Sequence, residues 1–361
     1  MTNIKANHPP ITIHKPKILS LQTLRAVFIM IIVVHHFPGN DPIKPLLFGG
    51  EMAVCFFFVV SGFLTAYTHR GVPSSYRHYA LQKYAKLITG NAIFLLLLLP
   101  KAYLGGEEHL TTKFLLDLTL LQCWVPIRDY NLAINGVAWF LSTLLFIYML
   151  APYIVRWVLN ARWRHVGLLA LGMAIVVAVA AVSTPAEVSN FWLYMFPPFR
   201  LVDFVLGVIT YRCYLALSGH KALLRWLPVA EFVLVVIVTC AVWIYFNAGY
   251  PQVNHAIVMW LPCSLLILLT ALEDQRGGLL GRAMRTRALT RLGDVTGCMF
   301  ISHLFIIWVY VYVMMKLGID YHSLWVQVGY VAIVIAFGFV VAPWLHKAES
   351  KMASLATRHS K

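Results

Sequence analysis

The stretch LQTLRAVFIMIIVVHHFPGN (residues 21–40) is a long apolar run with an arginine near its start and two histidines near its end. A helix needs about 20 mostly apolar residues to cross the hydrocarbon core of a bilayer, so this run predicts a membrane-spanning helix. Ionisable side chains are expensive to place in lipid, and within a span they usually face protein or a water-filled cavity. The run therefore predicts a membrane protein and makes Arg25, His35 and His36 candidate functional residues.

The whole chain shares this apolar character. Of its 361 residues, 60% are hydrophobic and only 12% are charged, and the mean hydropathy is +0.75. A soluble domain cannot bury that much apolar surface. We therefore predict an all-α fold, a polytopic membrane helical bundle of about ten transmembrane helices. The predicted spans are 22–38, 49–68, 87–104, 139–158, 166–184, 198–216, 227–247, 255–272, 294–315 and 324–345.

The distribution of charge predicts the orientation of the bundle. The formal net charge is +15, with 29 Lys and Arg residues. If the N-terminus lies in the cytoplasm, all but six of these 29 fall on the cytoplasmic side, as the positive-inside rule requires. Both termini are therefore predicted to be cytoplasmic. The basic loops need no nucleic-acid partner, although they suit an anionic ligand in the cytoplasm.

The same pattern predicts one membrane domain at 21–346, between a cytoplasmic N-terminal segment at 1–20 and a basic cytoplasmic tail at 347–361. The N-terminal segment is polar and interrupted by proline, unlike a cleavable signal peptide, so we expect the first span to remain as an anchor. The stretch 105–138 is predicted to face outward, with a short re-entrant or interfacial helix beside an outer vestibule. The six cysteines lie singly, so we predict neither a metal site nor paired disulfides.

Arg25 and His36 are eleven residues apart in the first predicted helix. At about 100° per residue, eleven residues make three turns plus about 20°, so both side chains share one face, about 16 Å apart along the axis. His35 points about 80° away from Arg25, so His36 is the better aligned histidine. Histidine acts as a base near neutral pH. The alternative roles are structural: an arginine that reaches the lipid headgroups and a histidine that caps the helix.

The second span begins with FGGEMAVCFFFVVSGFL (48–64). Glu51 lies at its outer end, where it either orients His36 or simply contacts solvent. Gly49 and Gly50 permit a tight entry into the helix. The pair of small residues at 61 and 62, Ser61 and a glycine, allows a neighbouring helix to approach closely.

These two stretches closely resemble the opening of the bacterial acyltransferase 3 family of integral-membrane acyltransferases. The family's signal on its first helix is an arginine, ten residues and then a histidine, which Arg25 and His36 match. Three later stretches resemble further family motifs in the same order, and four ordered motifs are much more specific than one. The later stretches are AWFLSTLLFIYMLAP (138–152), FRLVDFVLGVITYR (199–212) and LGDVTGCMFISHLFI (292–306).

The chain departs from the family pattern in three places. Leu144 stands where many members have a glutamate, two residues after the serine of the tryptophan-led motif. Lysines replace arginines in the segment after the second span, and Thr89 replaces a proline there. Lysine keeps the charge but loses the planar fork that suits phosphate. Gly297 stands where a tyrosine is usual.

The resemblance implies transfer of an acyl group, commonly acetyl, from acyl-CoA in the cytoplasm to a hydroxyl of a cell-surface glycan or its lipid-linked precursor. The reaction would occur at the bacterial inner membrane, with acyl-CoA as donor substrate and no tightly bound cofactor. His36 would act as general base or as a transient acyl carrier, and Arg25 would hold the CoA arm or polarise the donor. Trp124, Tyr130 and Trp139 would offer aromatic faces to sugar rings.

The other candidate residues each have a structural alternative. Arg200 and Asp203, spaced i and i+3, either neutralise each other within the membrane or bind the acceptor. His303 either lines the cavity or packs as a hydrogen-bonded core residue. Lys83 and Lys86 are candidates for binding the CoA phosphates. The full set of candidates for the cavity or the substrate is His35, Glu51, Ser61, Trp139, Ser142, Arg200, Asp203 and His303.

Two other classes of protein suit the composition. A transporter or flippase would move a glycan or lipid without chemistry, and a sensor or scaffold would show no turnover. Many transporters have related halves with interrupted helices, and we detect no internal repeat in this sequence. Release of free CoA in the presence of acceptor distinguishes the enzyme from both alternatives. The sequence makes no prediction about the oligomeric state.

Overall fold

The computed structural model describes residues 16–38, 49–68, 73, 75–220, 225–247, 249–276 and 279–358. Within these ranges, ten helices are long and apolar enough to cross a membrane. The same residues form no β-strand. The prediction of an all-α bundle with about ten transmembrane helices is confirmed. Residues 1–15 of the predicted N-terminal segment and 359–361 of the predicted tail lie outside the described residues.

The ten spanning segments are joined by short helices, and we number all α-helices in chain order. The first nine are α1 Leu19–His36, α2 Gly49–Thr68, α3 Tyr76–Leu104, α4 Leu110–Thr119, α5 Arg128–Asn131, α6 Trp139–Asn160, α7 Trp163–Ser183, α8 Ala186–Ser189 and α9 Pro197–Ser218. A π-helical turn, Asn190–Met195, links α8 to α9. The remaining helices are α10 Leu227–Asn247, α11 Pro251–Ala256, α12 Trp260–Arg276, α13 Leu279–Ala283, α14 Arg287–Asp294, α15 Thr296–Lys316 and α16 Leu324–Thr357.

Polar side chains and prolines fix several helix starts. The Ser75 hydroxyl accepts a hydrogen bond from the backbone N–H of His78 at the start of α3, over 3.2 Å. The Asp274 carboxylate accepts from the backbone N–H of Ser20, so a residue of α12 caps the start of α1. Pro197 opens α9, where its missing N–H costs nothing. Sequence-local and long-range contacts therefore both set the ends of the spans.

Three predicted spans differ from the observed helices. Helix α3 begins at Tyr76 rather than at 87, and α16 ends at Thr357 rather than at 345. Both helices continue past their apolar runs, because backbone hydrogen bonds hold a helix together in water as well as in lipid. At 34 residues, α16 is about 51 Å long and passes the predicted boundary at 346 without interruption. The predicted span at 255–272 is divided between α11 and α12, with Ala256 and Trp260 on either side of the break.

The first two helices lie in the core of the bundle. In α2, 72% of the apolar membrane-spanning stretch is buried inside the protein. The corresponding share is 17% for α7 and for α10, so these two helices lie at the periphery. Helix α1 packs against α2, α12, α14 and α15. Arg25 is thus half-buried inside the protein, as the cost of charge in lipid requires, whereas His35 and His36 are exposed at the end of α1.

Helices α2 and α9 approach so closely that backbone meets backbone. A Cβ atom added at Gly62 would overlap the carbonyl oxygen of Phe204, and one added at Gly207 would overlap the carbonyl oxygen of Val59. The prediction that a glycine in the second span permits close approach is confirmed at this crossing. Only glycine leaves room at both positions.

The segment 105–138 packs against the end of the bundle that carries His36. It contains α4, a 3-10 turn at Gln122–Trp124, α5 and a second 3-10 turn at Gly136–Ala138. Left-handed backbone at His109 (φ 53°) and Leu120 (φ 59°) reverses the chain on either side of α4. The Ser142 hydroxyl donates to the carbonyl of Leu120 over 2.7 Å and joins this segment to α6.

Candidate active site

Two cavities lie along α1, one at each candidate catalytic residue. The first, which we call the Arg25 cavity, has a volume of about 410 Å³. The second, which we call the His36 cavity, has a volume of about 200 Å³. The polar and charged residues of the Arg25 cavity include Arg25, Ser61, Lys83, Lys86, Tyr148, Thr296 and Glu349. Those of the His36 cavity include His35, His36, Glu51, Arg128, Trp139 and Tyr194.

The guanidinium group of Arg25 is held by two hydrogen bonds. Nη1 donates to the side-chain oxygen of Gln22 over 2.8 Å, and Nη2 donates to the Thr296 hydroxyl over 3.0 Å. Gln22 lies one turn earlier on α1, whereas Thr296 begins α15. Among the described residues, Arg25 forms no ion pair with a carboxylate. Its charge is therefore fixed in place and available to an anionic or carbonyl-bearing ligand in the cavity.

Two lysines add to the positive charge of the Arg25 cavity. Lys83 and Lys86 lie on the first turns of α3, within the part that extends beyond the predicted span. The Lys83 ammonium group lies 4.6 Å from the ring centre of Tyr148 on α6. Such a contact stabilises a cation over an aromatic face. Arg25, Lys83 and Lys86 thus surround one space.

Glu349 also lines the Arg25 cavity, and sequence analysis missed it. It lies on α16, in the part assigned to the cytoplasmic tail. Leu345, four residues earlier, lines the same cavity, so the two residues share one helix face. In the sequence, this i to i+4 spacing could have indicated that the helix, and the face of it that lines the cavity, continues past residue 346.

His36 lies at the end of α1 and is exposed within its cavity. Its Nδ1 lies 2.9 Å from the carbonyl oxygen of Ile32. Because a carbonyl oxygen only accepts, Nδ1 carries the proton and Nε2 is the proton-accepting nitrogen of the neutral ring. The geometry therefore orients His36 as a base.

A second histidine ring packs against His36. The ring centre of His303 lies 5.0 Å from that of His36, and His303 is completely buried. Its Nδ1 donates to the carbonyl of Phe300 over 2.7 Å, while its Nε2 has no hydrogen-bond partner within the described part of the chain. His303 is not among the residues that line the two cavities, so it contacts the site through His36 and Phe300, which do line them.

The Glu51 carboxylate is held by two residues that sequence analysis missed. One oxygen lies 2.9 Å from Nε2 of His255, and the other accepts a hydrogen bond from the Tyr245 hydroxyl over 3.1 Å. Nδ1 of His255 lies 3.2 Å from the Ser189 hydroxyl. Tyr245 and His255 are about 200 residues from Glu51 in sequence, and no local pattern connects them.

Aromatic residues form one wall of the His36 cavity. Trp139 lines it, and its ring centre lies 4.9 Å from that of Tyr194 in the π-helical turn. Burial raises the pKa of the Tyr194 hydroxyl well above its ordinary value, so this group is neutral. Trp124 and Tyr130, which were predicted to join Trp139 in a vestibule, are not among the residues that line this cavity.

Arg200 and Asp203 form a buried ion pair that lines neither cavity, although Arg200 lies against the ring of Tyr194. Nε of Arg200 lies 2.9 Å from Oδ2 of Asp203, and both side chains are about 2% exposed. The indole N–H of Trp260 donates to Asp203 over 2.6 Å. The two residues thus neutralise each other within the bundle, which is the structural alternative that their spacing predicted.

Two phenylalanines line both cavities. Phe140 and Phe300 appear in the wall of the Arg25 cavity and in that of the His36 cavity, and their ring centres lie 5.1 Å apart. The cavities are therefore neighbours, separated where these rings meet. Among the described residues, no cluster of His, Cys, Asp or Glu side chains is arranged to hold a metal ion, and all six cysteines are free thiols.

Ten spanning helices around two adjoining polar cavities define a multi-pass membrane protein with an internal site. The model of the acyltransferase 3 family, described as an acyltransferase domain, matches residues 18–343, and the chain belongs to this family. A relative is the acyltransferase MdmB of Streptomyces mycarofaciens, which is 26% identical over 327 residues, covering 83% of this chain and 80% of the relative. No solved structure matches the chain significantly. The family resemblance drawn from the four motifs is confirmed, and acyl transfer is the class of reaction.

Proposed function

We propose that this protein transfers an acyl group, acetyl in the simplest case, from acyl-CoA to a hydroxyl of a cell-surface glycan or its lipid-linked precursor. We place the reaction at the bacterial inner membrane, with both termini and the Arg25 end of the bundle in the cytoplasm. The observation that carries the proposal is the position of Arg25 and His36, on one helix but in two cavities that adjoin at Phe140 and Phe300.

The Arg25 cavity suits the donor. CoA carries phosphates at one end and a thioester at the other, joined by a long flexible arm. Lys83 and Lys86 provide positive charge for the phosphates. Arg25, whose guanidinium is fixed by Gln22 and Thr296, holds the arm or polarises the thioester carbonyl. Arg25 and His36 are about 16 Å apart along α1, and the extended arm of CoA is long enough to span this distance.

The His36 cavity suits the reacting acceptor. The acceptor oxygen attacks the thioester carbonyl carbon while Nε2 of His36 takes the hydroxyl proton. A C–O bond forms, the C–S bond breaks, and the proton passes from His36 to the departing CoA sulfur. The Ile32 carbonyl supports this role because it keeps the proton of the neutral ring on Nδ1. Trp139 and Tyr194 supply aromatic surface for a sugar ring.

The proposal is tested by acyl transfer in lipid nanodiscs. Purified protein would receive radiolabelled acetyl-CoA and a panel of free and lipid-linked glycans, and both CoA release and glycan label would be measured. We expect His36→Ala to lose activity by at least about 100-fold, because general-base catalysis commonly contributes that much. His322→Ala is the matched control, since His322 is exposed and its ring packs at a tilt against Tyr321 outside both cavities.

Each outcome separates the alternatives. A His36→Ala protein that folds and keeps the acyl-transfer activity of wild type would contradict the proposal. Label retained on the wild-type protein without acceptor would replace direct transfer by an acyl-enzyme step. Movement of intact glycan across the bilayer without CoA release would identify a transporter instead. Loss of activity in Arg25→Gln, with partial recovery in Arg25→Lys, would link the Arg25 charge to the donor.

A further inference from the structure

A third cavity opens beside the His36 cavity. It has a volume of about 560 Å³ and lies between the end of α3 and the segment around α5. We call it the Arg128 cavity. Arg128 and Leu132 line both this cavity and the His36 cavity, so a ligand in one borders directly on the other. The Arg128 cavity therefore provides the space next to the proposed catalytic histidine.

The charges around the Arg128 cavity do not balance. Its two acidic residues, Glu107 and Asp129, both form ion pairs with the buried Lys113, and the Asp129 contact measures 2.5 Å. Its two cations, Lys101 and Arg128, have no ion-pair or hydrogen-bond partner for their charged groups within the described residues. Lys101, Arg128 and Lys113 together exceed the two carboxylates by one charge, so the cavity carries a net positive charge and suits an anion.

An apolar groove continues from the Arg128 cavity along α15. Its volume is about 220 Å³, and Ile307, Trp308, Val311 and Met315 form its apolar side. Leu98, Lys101 and Ile134 line both the groove and the Arg128 cavity. Cation and hydrocarbon surface therefore lie side by side, with Lys101 at their junction.

These three spaces form one sequence: an apolar groove, a cationic cavity and the cavity of His36. We propose that the acceptor is carried to His36 on a lipid phosphate. The hydrocarbon chain lies in the groove, the phosphate contacts Lys101 and Arg128, and the hydroxyl-bearing part enters the His36 cavity. A free neutral glycan has no anionic group for the two cations to bind and no hydrocarbon chain to occupy the groove. This inference rests on the proposed acyl transfer and narrows its acceptor to the lipid-linked class.

Binding tests the site without any turnover. Geranylgeranyl monophosphate, geranylgeraniol and dioleoyl phosphatidic acid are the probes, measured by native mass spectrometry of the purified full chain. We expect the prenyl phosphate to bind at least about tenfold more tightly than the alcohol, since hydrogen bonds to charged groups contribute that much. The double variant Lys101→Gln/Arg128→Gln should lose this preference, and Lys101→Arg/Arg128→Lys should keep most of it.

Two further variants separate the parts of the site. Lys316→Gln is the matched control, because Lys316 ends α15 and lines neither the groove nor the Arg128 cavity. Val311→Trp fills the groove. It should weaken binding of the prenyl phosphate and leave binding of short-chain phosphates unchanged. Equal binding of the prenyl alcohol, or equal binding of phosphatidic acid with the same dependence on both cations, would overturn the acceptor assignment. The second result would identify a site for ordinary phospholipid.

Kinetics link the site to the reaction. For an acceptor on a lipid phosphate, the double variant should raise KM by about tenfold and leave kcat within about twofold, because the cations hold the acceptor and do not touch the reacting atoms. Transfer to a free glycoside of the same sugar should show a smaller rise in KM, because such an acceptor has no phosphate to contact the two cations. If the double variant transfers acyl groups to the lipid-phosphate acceptor as wild type does, this inference is overturned and the proposed function stands. Prenyl phosphate binding without CoA release on any acceptor would count against the proposed function alone.

Discussion

Asp117 is a carboxyl group buried outside the ten spans. It lies on α4 and is 1% exposed. Its Oδ2 accepts only a long hydrogen bond, 3.4 Å, from the backbone N–H of Asn135, and burial raises its pKa well above the ordinary value. Its backbone carbonyl accepts from the Asn91 side chain over 2.6 Å, which joins the segment 105–138 to α3. Asp117 therefore occupies the joint between that segment and the bundle.

The raised pKa of Asp117 predicts a pH-dependent stability. Its folded pKa exceeds the unfolded value of about 3.9, so the folded state binds more protons between these two values. Stability is then highest below the unfolded pKa and falls as the pH rises toward the folded pKa. We expect Asp117→Asn to flatten this decline. Thermal unfolding of wild type and variant, measured as the pH rises from about 4, tests this expectation.

The exposed Asp129 offers the control for this experiment. Asp129→Asn removes a carboxylate from the same segment, but that side chain is 62% exposed. This carboxylate is exposed even though it pairs with Lys113, so its removal should leave the decline of stability with rising pH in place. An Asp117→Asn profile that still falls with pH would show that another group causes the decline.

Sequence spacing identified Arg25 and His36 but not their surroundings. Helix periodicity places two residues on one face, and both do line cavities. It does not say which distant helix supplies a partner. Glu51 meets His255, 204 residues away, through a helix crossing that only packing defines. The partners of ionisable residues in a bundle therefore require the tertiary structure.

At the scale of helices, the crossing of α2 and α9 depends on two glycines. Gly62→Ala or Gly207→Ala would place a methyl group on a backbone carbonyl of the facing helix. A backbone carbonyl cannot change its position by rotation as a side chain can, so the two helices must move apart. We expect each substitution to cost about 1–3 kcal/mol or more, measured as reduced thermal stability in detergent.

Gly172→Ala is the matched control for this crossing. Gly172 lies on the peripheral helix α7, and a Cβ atom added there would meet open space. Alanine favours the helix over glycine by up to about 1 kcal/mol, so this variant should be neutral or more stable. Stability unchanged in both Gly62→Ala and Gly207→Ala would show that α2 and α9 tolerate a wider separation than the structure has.

The number of helices was predictable from sequence, whereas their lengths were not. Apolar runs mark where lipid surrounds a helix, so all ten spans were found. Helices α3 and α16 extend beyond their apolar runs, and hydropathy does not detect a helix that continues into water. Lys83 and Lys86 on α3, and Glu349 on α16, lie in these extensions and reach the Arg25 cavity from there.

At the scale of the whole molecule, Phe140 and Phe300 separate two compartments, the Arg25 cavity and the His36 cavity. On the proposed function, this partition keeps water from the thioester until an acceptor is present. Phe140→Ala or Phe300→Ala should therefore raise acceptor-independent CoA release on the order of tenfold relative to transfer. Hydrolysis of acetyl-CoA by the purified protein, with and without acceptor, measures the ratio.

Phe339→Ala controls for the loss of a phenylalanine as such. Phe339 lies on α16, is 42% exposed and lines neither compartment. Phe140→Leu keeps apolar bulk at the partition and should retain most of the coupling. Equal ratios of hydrolysis to transfer in wild type and both alanine variants would mean that the rings do not exclude water.

The same two rings have an electrical consequence. A cell membrane sustains a potential of the order of 100 mV, worth about 2.3 kcal/mol for each charge that crosses it. A continuous file of water from the Arg25 end to the His36 end would let protons run down that gradient. Phe140 and Phe300 interrupt such a file with apolar surface, and hydrophobic constrictions block ions by excluding water. The cavities toward the two ends of α1 can therefore hold polar substrates while the apolar rings between them keep the membrane insulated.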